Sequence, residues 1–204
     1  MKQSFFCVLE GIDGAGTETQ SKLLKEFLEK KNFEVEIVKY PDYSGPIGQI
    51  IHKFLHKELE FSPAVQFSLY ATDMVKDRER ILDMIKNKKV VIADRYIYST
   101  LSYQSFAKGF KLENGLKFIK IFDLPKPNLV IFLDISPETS MKRKYKEKKD
   151  LDRHEADAKF LKKVREGYMK LAKIFAKRWV VIDGEKAIED VAKNIQEIVI
   201  SKLK

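Results

Sequence analysis

Cysteine is all but absent from this 204-residue chain. Cys7 stands alone, so no internal disulfide framework can hold the fold, and a reducing, cytoplasmic setting is expected. Cys7 lies in an apolar run and reads as a buried, inert thiol. No apolar stretch approaches the roughly 18 residues that cross a bilayer. The opening Met1-Lys2-Gln3-Ser4 leads into a strand-like run without a secretory cleavage pattern. Glycine and proline never gather into a linker, and repeats and low-complexity tracts are lacking, so residues 1–204 are expected to form one domain. Charge is not lacking. Hydrophobic residues make up 44% and charged residues 34%, which suits a globular protein with a full core and excludes the disordered class. The net charge is +9, and six of the eight residues from Lys142 to Lys149 are basic. Positive charge gathered in one segment, with no recognised nucleic-acid motif, argues against a nucleic-acid-binding module and for the handling of small anions.

Five short apolar runs stand out: Phe5–Leu9, Val35–Val38, Val90–Ala93, Leu129–Leu133 and Trp179–Ile182. They are nearly continuous rather than alternating, as strands buried on both faces of a parallel sheet are. Helical patterns lie between them. Leu23, Leu24, Phe27 and Leu28 mark one. Val65, Leu69, Ile81, Leu82 and Ile85 predict a single helix within about 62–87, and Phe160, Val164, Tyr168, Leu171 and Phe175 predict a third. Strand alternating with helix implies an open parallel sheet wrapped by helices. Four of the runs end in an acid: Glu10, Asp94, Asp134 and Asp183. Ligands of such sheets bind beyond the carboxyl ends of the strands, so these acids are candidates for chemistry. Strand termination explains Asp134 and Asp183 equally well. His52 and His56 have zinc-compatible spacing but no evident third ligand, and no metal site is expected there.

The first run enters a turn with glycines at 11, 14 and 16, and a helix follows. Backbone N–H groups of such a turn face a phosphate unobstructed, and the helix dipole adds positive potential. Gly11, Gly14, Ala15, Gly16, Thr17, Glu18 and Thr19 are therefore expected to bind a nucleotide's phosphates. The pattern Gly-x-x-x-x-Gly-Lys-Ser/Thr is incomplete, because Thr17 and Glu18 stand where the lysine and hydroxyl belong. A carboxylate beside polyphosphate needs a cation between them. Glu18 is accordingly expected to ligate Mg²⁺, directly or through water, with another cation replacing the lysine.

Asp94-Arg95-Tyr96, then Ser99, Tyr103 and Gln104, resemble the thymidylate kinase family. So do Glu10-Gly11-Ile12-Asp13-Gly14-Ala15-Gly16 and Asp152-Arg153-His154-Glu155, with Phe160-Leu161, Val164-Arg165 and Gly167-Tyr168 after them. The resemblance spans essentially the whole chain. It implies an α/β P-loop NTPase fold of the nucleoside-monophosphate kinase type, with a five-stranded parallel sheet flanked by helices and a lid at about 142–154. It also implies transfer of the γ-phosphate of ATP to dTMP, Mg²⁺ as cofactor, and a homodimer.

Residue roles follow by the same resemblance. Asp13 would hold the acceptor's sugar and phosphate region, Asp94 would anchor Mg²⁺ through water, and Arg95 would grip the acceptor phosphate. Tyr103 would press on the deoxyribose, and Ser99 and Gln104 would make polar contacts near the base. Tyr70 matches the aromatic that stacks on thymine. Met74 stands where the family has a base-reading arginine, so Arg78, one turn further on, becomes a candidate. Arg143 would stack on adenine, Arg153 would reach phosphate, and Lys186 and Ala187 would line the adenine pocket. Arg153 is the favoured substitute for the missing lysine, ahead of Arg143, Lys146, Lys148 and Lys149. Met74 leaves dUMP, another deoxynucleotide or a deoxynucleoside open as acceptor, and Thr17 with Glu18 leaves open a nucleotide-binding protein without turnover.

Overall fold

The structure is a computed structural model, described here for residues 4–147, 152–155 and 157–203. Its five strands are β1 (Phe5–Gly11), β2 (Val35–Lys39), β3 (Val90–Asp94), β4 (Leu129–Asp134) and β5 (Trp179–Asp183). They form one parallel sheet in the order β2-β3-β1-β4-β5. Every strand outruns its apolar stretch by one or two residues, because backbone pairing continues past the core. The terminal acid or lysine is thereby delivered to the carboxyl edge of the sheet. All of β1 and β3 is buried, and burial pushes the Cys7 thiol up.

The helices are α1 (Thr17–Glu29), α2 (Pro46–Leu55), α3 (Pro63–Val75), α4 (Arg78–Lys86) and the single turn α5 (Ile97–Thr100). A π-helical segment, Leu101–Ala107, continues α5. Then come α6 (Leu112–Ile121), α7 (Pro137–Glu147), α8 (Ala158–Ile174) and α9 (Ile188–Lys202). Asp157 caps α8 by accepting the Phe160 N–H at 2.9 Å.

The single helix expected within 62–87 is two. Ser62 accepts the Val65 N–H to open α3, and the chain turns at Lys76 and Asp77 before α4. Charge holds the break. Lys76 pairs with Asp42, Asp73 and Asp77, and Asp77 also accepts the Tyr40 hydroxyl. Apolar periodicity carries across the junction unchanged, since it records only which face meets the core. The sheet order places β1 at its centre, and the turn after β1, the end of β3 and the start of α7 meet at one edge.

Candidate active site

The turn after β1 is shaped for close approach of an anion. Gly14 and Gly16 take φ of 78° and 88°, the left-handed region where a side chain is strained. A Cβ on Gly14 would also lie 3.0 Å from the Ser140 carbonyl of α7. Ser140 donates to the Asp13 carbonyl at 2.5 Å. Arg143 donates to the Gly14 carbonyl at 3.2 Å and to the Gly184 carbonyl at 2.9 Å, tying the turn to the loop after β5. The first N–H groups of α1 have no helical acceptor and face a crevice of about 1450 Å³. Thr17, Glu18, Thr19, Lys22, Lys39, Asp94, Arg95 and Lys144 border that crevice.

Asp94 is 3% exposed, and its Oδ1 has no hydrogen-bond partner within the protein. Burial raises its pKa, against the opposing pull of the Thr17 hydroxyl, Arg95 and Lys39. Glu18 is engaged on both oxygens. Oε1 receives Lys22 at 2.8 Å and Oε2 receives Lys39 at 2.6 Å, and these hydrogen bonds hold its pKa down at about 2.

Arg95 takes φ 66°, a conformation uncommon for a residue with a side chain, and its surroundings fix it there. Its backbone N–H bonds the Leu9 carbonyl at 2.9 Å. Its guanidinium bonds the Gly11 carbonyl at 2.8 Å, Ser99 Oγ at 3.3 Å and Asp13 Oδ1 at 2.7 Å. Beneath it lies Glu10, wholly buried. Glu10 Oε1 accepts the N–H groups of Tyr96 and Ser99, and Oε2 accepts the hydroxyls of Ser99 and Tyr168. Desolvation raises Glu10 to about 7, although the Ser99 hydroxyl, Arg95, the Tyr168 hydroxyl and the Tyr96 N–H pull the other way.

Next to the crevice, and sharing Asp13, Tyr43 and Arg95 with it, is a second cavity of about 540 Å³. Tyr103 donates to Asp13 Oδ2 at 2.9 Å, so one carboxylate locks Arg95 and Tyr103 together. Tyr70, Met74, Thr100 and Gln104 form the deeper wall. Gln104 and Thr100 are each 1% exposed, and Gln104 Nε2 and Thr100 Oγ1 have no partner within the protein. His154 closes one side with its Nε2 2.9 Å from Lys108 Nζ. Burial, and then Lys108, push its pKa down to about 3, so the ring is neutral.

The structure thus gathers Asp13, Asp94, Arg95, Ser99, Tyr103, Gln104, Tyr70 and residues 12–19 around two joined cavities, whereas Gly11 is buried at the end of β1, its carbonyl accepting from Arg95 and Tyr168. Other expected residues lie elsewhere. Arg78 opens α4 and bonds the carbonyl and carboxylate of Asp123, and it also pairs with Glu79, so it does not border the acceptor cavity. Arg153 makes two bonds to Glu60, at 2.9 and 2.7 Å, with its guanidinium over Phe54, and it borders neither cavity. Lys186 and Ala187 lead into α9, in the loop after β5 whose Gly184 carbonyl accepts from Arg143, and they border neither cavity. Asp134 is taken by Arg165 in a two-pronged pair at 2.6 and 2.8 Å, and Asp183 accepts the Glu185 N–H of its own turn. Both are therefore structural. Lys148 and Lys149 lie outside the described residues. Sequence reasoning missed Lys39 at the crevice, Thr100 in the cavity wall, Tyr168 on Glu10 and the central place of Glu10. Tandem acceptors and donors of this kind leave no periodic trace.

The family model for thymidylate kinase matches residues 9–195. A thymidylate kinase of Thermoanaerobacter sp. (strain X514) is 37% identical over 198 residues, covering 95% of this chain and 96% of that protein. A probable thymidylate kinase of Pyrococcus horikoshii is 36% identical over 203 residues, covering 97% and 96%. A thymidylate kinase of Geobacillus sp. (strain WCH70) is 35% identical over 196 residues, covering 94% and 93%.

Proposed function

The chain belongs to the thymidylate kinase family, and from that premise we propose how its residues move the γ-phosphoryl group of ATP onto dTMP, giving dTDP and ADP. ATP lies with its phosphates on the N–H groups of Gly14, Gly16, Thr17, Glu18 and Thr19, the Ala15 N–H being taken by the Ile12 carbonyl. The dTMP base enters the cavity of Tyr70 and Gln104, and its phosphate meets Arg95. Transfer of this kind depends on alignment and charge neutralisation more than on a base. The acceptor phosphate is already a nucleophile. Arg95, oriented by Asp13 and the Gly11 carbonyl, brings it toward the turn and offsets the charge of two approaching anions.

The unpartnered Asp94 Oδ1, buried at the crevice, fits a water bound to Mg²⁺. Asp94 would hold the ion there, and the ion would neutralise charge on the β- and γ-phosphates.

The carrying observation is the pair of unpartnered buried groups beside Tyr70. Met74 cannot donate to a base edge. The amide of Gln104 can donate to a pyrimidine O4 and accept from N3–H, with Thr100 alongside. That edge is common to thymine and uracil, and only the 5-methyl group differs. A methyl group is worth ~1–3 kcal/mol in an apolar pocket, or about 10–200-fold in kcat/KM. Cytosine reverses the donor and the acceptor, so it pairs with Gln104 only if the amide turns over from the orientation that suits thymine. Coupled ADP release with dTMP, dUMP and dCMP should therefore rank dTMP first, dUMP within about 200-fold, and dCMP far lower. Turnover of dCMP equal to that of dUMP would remove Gln104 from base reading. Absence of dTMP-dependent ADP release would leave nucleotide binding alone.

A homodimer packed through α2 and α3 belongs to the same reading. Ile47, Val65 and Leu69 border an apolar hollow there, and Ile50 and Val65 are exposed beside it.

A further inference from the structure

The glycine-rich turn carries Thr17 and Glu18 where the common phosphate-binding pattern carries an ammonium group and a hydroxyl. The missing charge has to come from another part of the chain, if ATP lies on the turn after β1 as proposed above. We propose that Lys39, reaching in from the end of β2, supplies the positive charge for the β- and γ-phosphates, and that Glu18 is the arm holding it there. This makes Lys39 a catalytic residue and Glu18 a positioning residue.

Three observations lead to this assignment. Lys39 is the last residue of β2, in register with Asp94 across the neighbouring strand, so its backbone already lies at the edge where the crevice opens. Its Nζ lies 2.6 Å from Glu18 Oε2, in the first turn of α1, beside the N–H groups that face the crevice. An ammonium has three donors and Glu18 takes one, which leaves donors for phosphate oxygens.

The second observation is the charge balance. Lys22 takes the other oxygen of Glu18 one helical turn further on, at 2.8 Å. Glu18 and Lys22 cancel, and the charge left over is that of Lys39. The substitution of Glu18 into the turn has therefore not cost the site its cation, because two lysines share one carboxylate.

The third observation is that, among the described residues, the other cations near the crevice are committed. Arg95 pairs with Asp13, and Lys144 with Glu147 and Glu155. Arg143 is spent on the carbonyls of Gly14 and Gly184.

The test compares Lys39→Met, Lys39→Arg and Glu18→Gln with the parent. Lys89→Met serves as a control, because Lys89 pairs with Glu36 at the opposite end of the same strands and carries the same charge. Steady-state kinetics would be paired with calorimetric binding of ADP in the absence of Mg²⁺, and a thermal melt would check folding. Lys39→Met should lower kcat/KM for ATP by about 100-fold or more, the scale of losing one charge-stabilising donor. It should weaken metal-free ADP binding by roughly tenfold while leaving KM for dTMP within about twofold. Lys39→Arg should recover most of the loss. Adding Thr17→Lys to Lys39→Met should restore activity, since it returns an ammonium to the turn.

Wild-type kcat/KM for ATP in Lys39→Met would overturn the proposal. So would an equal loss in Lys89→Met, or no recovery in a folded Thr17→Lys/Lys39→Met variant. Glu18→Gln should weaken metal-free ADP binding with an unchanged Mg²⁺ requirement. A raised Mg²⁺ requirement with unchanged ADP affinity would make Glu18 a metal ligand and end its role as the arm. If the underlying reading is wrong, the parent enzyme itself gives no ADP binding and no dTMP-dependent turnover.

Discussion

Glu10 has the most crowded position of any side chain at this site. It is a buried carboxyl that accepts four hydrogen bonds and caps the turn on which Arg95 rides. Its pKa is about 7 in the fold against 4.5 for a free glutamate. Between those values the folded state retains a proton that the unfolded chain has released. Stability therefore falls as pH rises across that window and is flat above it. The loss is on the order of 3 kcal/mol, at ~1.4 kcal/mol for each pH unit. Glu10→Gln keeps the acceptor for the two N–H groups and cannot ionise. Urea unfolding of parent and variant at several pH values from 5 to 8 should show a difference in stability that shifts toward the variant up to about pH 7 and then levels off. A difference that does not change with pH would mean that Glu10 does not titrate there. The same residue shows how site and sequence relate. Glu10 was legible as an acid at a strand end, but its four partners come from residues 96, 99 and 168, and only the folded chain brings them together. Arg78 and Arg153 show the converse. The resemblance placed Arg153, and a one-turn offset from Met74 placed Arg78, within reach of a ligand, and nearby carboxylates of Glu60 and Asp123 claim them instead.

The element that shapes the acceptor cavity is the π-helical segment Leu101–Ala107, which carries Tyr103 and Gln104 and packs along α8. Close packing depends on Gly167, where a Cβ would come within 2.8 Å of Phe106 Cβ. Gly167→Ala must push the segment away from α8. Overpacking of this kind costs ~1–3 kcal/mol. Chemical denaturation should show a loss of that size, and KM for dTMP should rise several-fold while KM for ATP stays constant, because the turn after β1 is not in the contact. Equal rises in both KM values would mean that the effect is general loosening rather than displacement of Tyr103 and Gln104. The strands were legible almost to the residue, since continuous Val/Ile/Leu/Phe runs have few alternatives in a parallel sheet. The π-helical segment was not. Its wider turn satisfies side-chain positions at the cavity, and no periodicity in Leu101–Ala107 announces it. The break at Lys76 and Asp77 was hidden for a related reason, because its cause is an ion-pair cluster with Asp42, a residue from before α2.

At the scale of the molecule, the placement of apolar surface sets an expectation about assembly. A chain of net charge +9 repels its own copies, so association needs a patch that outweighs the repulsion. The α2–α3 face supplies one, with Ile50 at 39% and Val65 at 43% exposure around the hollow of Ile47 and Leu69. A patch of this kind can meet its own copy across a two-fold axis, which is the commonest closed arrangement. The face also bears on catalysis, since Tyr70 and Met74 project from α3 into the acceptor cavity, so a partner seated on α3 would stiffen the wall that meets the base. Light scattering should give a particle of twice the 23.8 kDa chain mass. Val65→Asp places a charge at the centre of the patch without touching either cavity. It should yield monomers with a KM for dTMP raised about tenfold, the scale of a coupling of roughly 1–3 kcal/mol, and an ATP affinity close to the parent's. A dimer that survives Val65→Asp would move the interface elsewhere on the surface. A monomer with unaltered KM for dTMP would separate assembly from the acceptor site, leaving the wall of Tyr70, Thr100 and Gln104 to be held by the chain's own core.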